Sequence, residues 1–264
     1  MSGADECLAA GDLEGARATL VAAVRNAPGD QAARLFLLQL LMISGEWDKA
    51  AAQARALVGL DPQAEMLSVL CNQLIAGERE REAAFAGQAP FKAHFAASGW
   101  VDDLVGALNA WAAGDLATAQ TLRDAAFDAA PDTPGDCDGR PFDWVADADP
   151  RFGPCLEVIV AGSWGLLPLD AIASIDSDGA QELRDLAWLP VKLAMRSGQS
   201  AAAFLPTRYP GAAAESAPLR LARGTEWRDG PFGALGAGQR LLAFSDGEDL
   251  PILSMRRLVF SGSD

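Results

Sequence analysis

Through the first half of the chain, apolar residues recur at helical spacing. Leu13, Ala16, Leu20 and Val24 form one stripe, and Trp47, Ala50, Ala51, Ala54, Leu57 and Val58 form another, with polar residues between them. Three segments carrying this pattern can be laid over one another: "GDLEGARATLVAAVRNAP" from Gly11, "GEWDKAAAQARALVGLDP" from Gly45 and "GDLATAQTLRDAAFDAAP" from Gly114. Each opens on glycine, an acid and an apolar residue, and each closes on a proline (Pro28, Pro62, Pro131) seventeen residues later. The first two glycines are 34 residues apart and the third follows after 69, one and about two periods of a tetratricopeptide repeat. The glycine ends one helix in a left-handed or tight turn, the acid sits at the positive end of the next helix, and the proline stops it. Partner helices are expected over 32–44, 64–77 and 99–114. The intervening "EREREAAFAGQAP" (78–90) reads as a short, degenerate unit.

After Pro131 the alanine-rich pattern gives way to turn residues and short apolar runs. Strands are expected at 155–162, 164–169, 171–176, 191–197, 201–206, 219–227, 239–245 and 251–260, with hairpin turns at "SGQS" (197–200) and "SDGEDL" (245–250). Such spacing suggests a mostly antiparallel sheet or small barrel. The expected fold class is therefore α+β: TPR-like helical repeats over residues 1–133, then a mainly β domain over 134–264. Stacked helix pairs commonly present a concave face for a peptide or helix of another protein, which points to binding. A plain helical bundle without a groove is the alternative.

Composition narrows the function. The formal charge is −15, with 21 basic against 36 acidic residues, so the surface repels nucleic acid and anionic lipid. The N-terminus lacks the basic and apolar regions of a secretory signal, and the longest strongly apolar stretch, "LFLLQLLMI" (35–43), is far short of a membrane helix. A cytoplasmic location is expected, with neither nucleic acid nor membrane as a partner. Cys7, Cys71, Cys137 and Cys155 are widely spaced, without a C-x-x-C pair, and read as reduced, mostly buried thiols.

Catalytic signatures are sparse. The one histidine, His94, lies between Phe91 and Phe95 with no nucleophile elbow to serve. "GALGAGQR" (233–240) is glycine-rich but lacks the lysine and βαβ context of a phosphate loop, and reads as a loop. "DWVADADPRFGP" (143–154) gathers Asp143, Asp147 and Asp149, yet its gaps of four and two followed by Pro150 do not fit a calcium loop. No cofactor or metal is expected. The run reads as a junction in which Phe142, Trp144 and Val145 pack between the halves while the acids cap a short helix or pair with Arg151. Trp144, Asp147, Asp149 and Arg151 are the candidate residues there. Arg208, Tyr209, Arg220 and Trp227 form a second candidate set, for a partner surface or an anion pocket.

Several of these stretches together resemble the ImpE family, also known as TagJ or SciE-type virulence proteins. They are "FDWVADADPRFGPCLEVIV" (142–160), "LRDLAWLP" (183–190), "LPTRYPG" (205–211), "LARGTEW" (221–227) and "GAGQRLLA" (236–243), with "FLLQLLMISGEWDKAAAQARALVGLDP" (36–62) and "LRDAAFDAAPDTPGDCDGRPFDW" (122–144) ahead of them. The resemblance implies a non-enzymatic cytoplasmic accessory protein of a bacterial type VI secretion system. Its implied partners are the TssB-like small subunit of the contractile sheath and the ClpV-type ATPase that recycles the sheath. It brings no catalytic residues. The helix ahead of Gly11 is shorter than the family pattern, and 78–90 departs from it. The competing expectation is a small-ligand protein or enzyme using Asp143, Asp147, Asp149 and Arg151 with the nearby arginines.

Overall fold

The structure is a computed structural model and describes residues 3–95 and 99–262. Its first half is helical: α1 (Gly3–Ala9), α2 (Leu13–Asn26), α3 (Gln31–Ile43), α4 (Trp47–Leu60), α5 (Glu65–Phe85), α6 (Trp100–Ala112) and α7 (Leu116–Ala129). Gly11, Gly45 and Gly114 turn between paired helices with φ of 79°, 72° and 83°, a region where a Cβ is strained. Asp12 and Asp115 then cap α2 and α7, accepting from Gly15 N–H (2.8 Å) and Thr118 N–H (3.1 Å). Glu46 opens α4 without such a bond.

The segment expected to be a degenerate unit is instead the second half of a long helix. α5 runs unbroken for 21 residues and carries "EREREAAF" in its final turns. Its repeat pattern fails because Glu78 and Arg81 are buried against the β half, bonded to Trp188 and Glu157, rather than against another helix.

Thirteen strands follow among the described residues: β1 (Gly135–Cys137), β2 (Arg140–Phe142), β3 (Val145–Asp147), β4 (Cys155–Val160), β5 (Ser163–Pro168), β6 (Ile172–Asp176), β7 (Trp188–Met195), β8 (Ser200–Pro206), β9 (Thr225–Gly230), β10 (Gly233–Gly238), β11 (Leu241–Phe244), β12 (Asp249–Pro251) and β13 (Arg257–Phe260). Eight form one sheet in the order β2-β1-β13-β6-β7-β8-β4-β5, three form β12-β11-β3, and β9 and β10 form a ribbon. Every pairing between these strands is antiparallel. The run 219–227 does not make one strand: a short helix, α8 (Ala217–Arg220), precedes β9. Pro251 similarly leads into a 3-10 turn over 252–254 that divides 251–260. The glycine-rich segment read as a loop is β10. Its Gly236 lies opposite Trp227 on β9 and so close to Tyr209 that a Cβ would fall 2.2 Å from the ring.

The main sheet buries both faces. Leu156, Val158, Leu189, Val191 and Leu193 fill a core within the β half, while Ile159, Trp164, Leu166 and Trp188 join the helices in a second core. Gly77 of α5 lies directly on Ile159, 2.8 Å separating an added Cβ from Cγ2. α3 is buried at seven consecutive positions, Leu37–Ile43, which a helix covered on one face cannot be. Besides its helical neighbours, it meets the 3-10 turn over 183–186 through Gln39, whose side chain donates to Glu182 (2.8 Å). The face of the repeats that would be open in a free-standing array is thus packed against the chain's own β half. Among the described residues, no helix is long and apolar enough to cross a membrane.

Candidate functional site

The fold brings together charges that are scattered in sequence. β4 is an apolar strand with one acid, and the pleat points Glu157 toward α5. There it accepts from Arg81 Nε (2.7 Å) and Nη2 (2.9 Å), and from the Trp164 indole (2.9 Å). Arg81 also donates to Glu78 (2.8 Å), one helical turn away, and to the Arg208 carbonyl (2.8 Å). Glu78 takes the Trp188 indole N–H as well (2.9 Å). On the other side of Glu157, Arg240 bridges it to Asp147 and lies over the rings of Phe152 and Tyr209.

Asp147 and Asp149 shape the turn that leads from β3 to β4. Asp147 accepts from Asp149 N–H (2.9 Å) and from the Tyr209 hydroxyl (3.2 Å). Asp149 is clasped side-on by Arg151 (2.9 and 2.6 Å) and takes Gly236 N–H of β10 (2.7 Å). The buried set therefore holds four carboxylates, Glu78, Asp147, Asp149 and Glu157, and four guanidiniums, Arg81, Arg151, Arg208 and Arg240. Arg208 alone among these guanidiniums has no carboxylate in hydrogen-bond reach; its Nη1 donates to the carbonyls of Ile43 (3.1 Å) and Arg220 (2.7 Å).

Burial and pairing pull these groups in different directions. Burial pushes the Asp147 carboxyl up to about 7, with Arg240 opposing the rise and the Asp149 charge adding to it. Burial acts the same way on Glu157, but Arg81 and Arg240 outweigh it and hold Glu157 below the usual carboxylate range. Burial lowers Arg208 to about 10, the Glu78 charge resisting and Arg81 assisting. Each carboxylate is spent on guanidinium, indole, hydroxyl or backbone donors. The chemistry available to the cluster is to lock α5, β3, β4 and β10 in one arrangement.

The candidate residues separate accordingly. Asp147, Asp149, Arg151, Arg208 and Tyr209 lie in or beside the cluster, and Trp227 tilts over Tyr209 from the exposed ribbon with ring centroids 5.9 Å apart. Arg220 reaches the cluster only through its carbonyl, and its Nε is buried without a partner. Trp144 is exposed, and Phe142 and Val145 are buried in the core within the β half rather than between the halves, so the expected junction packing is not made by these three residues. Asp143 is also exposed, its N–H donating to Ser245 Oγ (2.8 Å). His94 is half-buried beside β5, with Nε2 3.2 Å from the Ser163 carbonyl, and burial lowers its pKa. Of the thiols, Cys7 is partly exposed, whereas burial pushes Cys71 up to about 11 and Cys137 up to about 12.

Glu78, Arg81, Glu157 and Arg240 were not among the candidates, yet they are the centre of the cluster. Glu157 had a readable sign, as the one charge in the strand "CLEVIV". Glu78 and Arg81 had none, because five alternating charges on a helix look like a solvated face.

The model of the ImpE protein family matches residues 139–259, and a tetratricopeptide repeat model matches residues 8–70. The type VI secretion system accessory component TagJ of Pseudomonas aeruginosa is 38% identical over 262 residues, spanning 99% of this chain and 92% of that protein. A crystal structure of a Vibrio parahaemolyticus protein aligns with a TM-score of 0.89 over 99% of this chain and 98% of its own, at 21% identity, which shows a shared fold.

Proposed function

The chain belongs to the ImpE family, and on that footing we propose that it is a non-enzymatic accessory protein of a type VI secretion system. The observation that carries this reading is the full-length similarity to a protein of that role. Its partners, on this reading, are the TssB-like small sheath subunit, the ClpV-type ATPase, or both, in the cytoplasm where the sheath assembles. We propose two parts, residues 1–133 and 134–264, that differ in labour while sharing a core: the helices meet the partner, and the β half braces them.

The covered face of α3 redirects where the partner binds. Met66 and Val69, at i and i+3 on α5, are 76% and 45% exposed, and Leu60 at the preceding turn is 41% exposed. Exposed apolar side chains at helical spacing suit a helix laid alongside. The alternative, a ligand site built on Asp147, Asp149 and Arg151, has against it that all three are buried and bonded to one another, to Arg240 or to Gly236.

The experiment is calorimetric titration of the purified protein with a TssB-like small sheath subunit and with a ClpV-type ATPase. Binding to at least one is expected. Met66→Asp together with Val69→Asp should weaken it at least tenfold while leaving the unfolding midpoint unchanged. No binding to either protein would overturn the proposal.

A further inference from the structure

A cavity of about 350 Å³ lies between the loop 176–185 and the outward face of β7 and β8. Its walls are amphipathic in an ordered way. Pro190, Ala202 and Phe204 supply an apolar floor. Asp176, Asp178, Glu182 and Asp185 stand around it against two cations, Arg184 and Lys192, so the lining carries a net negative charge. A second cavity of about 360 Å³ shares Asp176, Lys192 and Ala202 and continues along Ala194 and Ser200. The two together make a trough along the sheet rather than an isolated hole.

Asp185 distinguishes this trough from an ordinary acidic patch. The residue is 3% exposed, and its Oδ2 accepts from Gln181 N–H (2.8 Å) and Glu182 N–H (2.9 Å). Its Oδ1 has no hydrogen-bond partner, and Arg184 Nε stands 3.8 Å away, beyond hydrogen-bond reach. Arg184 Nε is itself without an acceptor. A buried carboxylate oxygen left unfilled costs free energy that an incoming donor removes. Arg184 Nη1 already meets Glu182 at 2.7 Å, so the missing pieces are a cationic donor for Oδ1, an acceptor for Arg184 Nε and an aliphatic stem for the floor.

We propose that this trough is a docking site for a lysine or arginine side chain carried on an extended segment of a partner protein. The charged head meets Asp185 and Asp178, the methylene stem lies on Pro190 and Phe204, and a main-chain carbonyl of the segment accepts from Arg184 Nε. The inference uses none of the residues of the Met66 face, and it stands or falls separately from the sheath contact.

The test is an amide-resolved NMR titration of the full chain with N-acetyl-arginine methylamide, with N-acetyl-glutamine methylamide and N-acetyl-glutamate methylamide as controls. The arginine compound should give saturable shifts confined to residues 176–185 and 190–204, with little from either control. Asp185→Asn should weaken binding at least fivefold. Asp178→Asn, at an exposed rim position outside every turn-capping bond, should weaken it at least twofold with an unchanged spectrum elsewhere, so that loss of the 181–185 turn in the first variant cannot mimic the result. Absence of saturable shifts, equal shifts from the glutamine compound, or unchanged affinity in the Asp178 variant would overturn the proposal.

Discussion

Replacing Arg81 by methionine removes one cation from the middle of the buried cluster and keeps most of its volume. Arg81 is 4% exposed and supplies four hydrogen bonds, two to Glu157, one to Glu78 and one to the Arg208 carbonyl. Methionine and arginine have similar helix propensities, so α5 itself is unaffected. What changes is that Glu157 keeps only Arg240 and the Trp164 indole, and Glu78 keeps the Trp188 indole, leaving one buried negative charge unbalanced. Breaking a buried pair by deleting one partner costs about 3–5 kcal/mol, a large share of the roughly 5–15 kcal/mol that holds a domain together. Arg17→Met is the comparator. It breaks the partly exposed Arg17–Glu46 pair at 3.0 Å and should cost at most about 1 kcal/mol. Urea unfolding followed by tryptophan fluorescence reads both, because Trp164 and Trp188 donate into the cluster. Adding Glu157→Gln to Arg81→Met restores the charge balance, so the double variant should be more stable than the sum of the singles by about 1–3 kcal/mol. An Arg81→Met cost no larger than that of Arg17→Met, or strict additivity of the pair, would refute the reasoning.

Asp147→Asn gives a pH test. Since burial raises the folded carboxyl to about 7, its stabilising contribution is complete below the unfolded value near 4 and is lost as pH rises through 7. The folded-to-unfolded ratio of the natural protein relative to Asp147→Asn should therefore fall by up to about tenfold per pH unit between pH 4 and 7; a flat difference across denaturation curves in that range would contradict it. Gly77→Ala should destabilise by about 1–3 kcal/mol despite the roughly 1 kcal/mol helix preference for alanine, because the new methyl meets the stiff β-branch of Ile159 at 2.8 Å. Adding Ile159→Ala should leave less than the summed loss of the two singles in thermal unfolding, and full additivity would show that the contact is not the cause.

Local features of this chain can be read without its structure because they arise from residues a few positions apart. The Gly-acid-apolar openings turn the chain at Gly11, Gly45 and Gly114 through backbone freedom alone, and the helices between them follow from stripes such as Leu13, Ala16 and Leu20. "CLEVIV" and "VKLAMRS" likewise declare strands by composition. β1 and β2 did not, because three residues such as "GDC" or "RPF" carry no period, and β10 did not, because "GALGAG" becomes a strand through β9 and the space beside Tyr209. The motif Asp147, Asp149 and Arg151 stood out in sequence, while its distant partners Tyr209, Gly236 and Arg240 came from 62 to 93 residues away. Whether a charge such as Arg81 meets water or Glu157 depends on which face of α5 the sheet covers, and that is decided by long-range packing. The same packing covers α3, so the repeats that promised an open groove have it filled by their own chain, and any partner must meet the protein on another face.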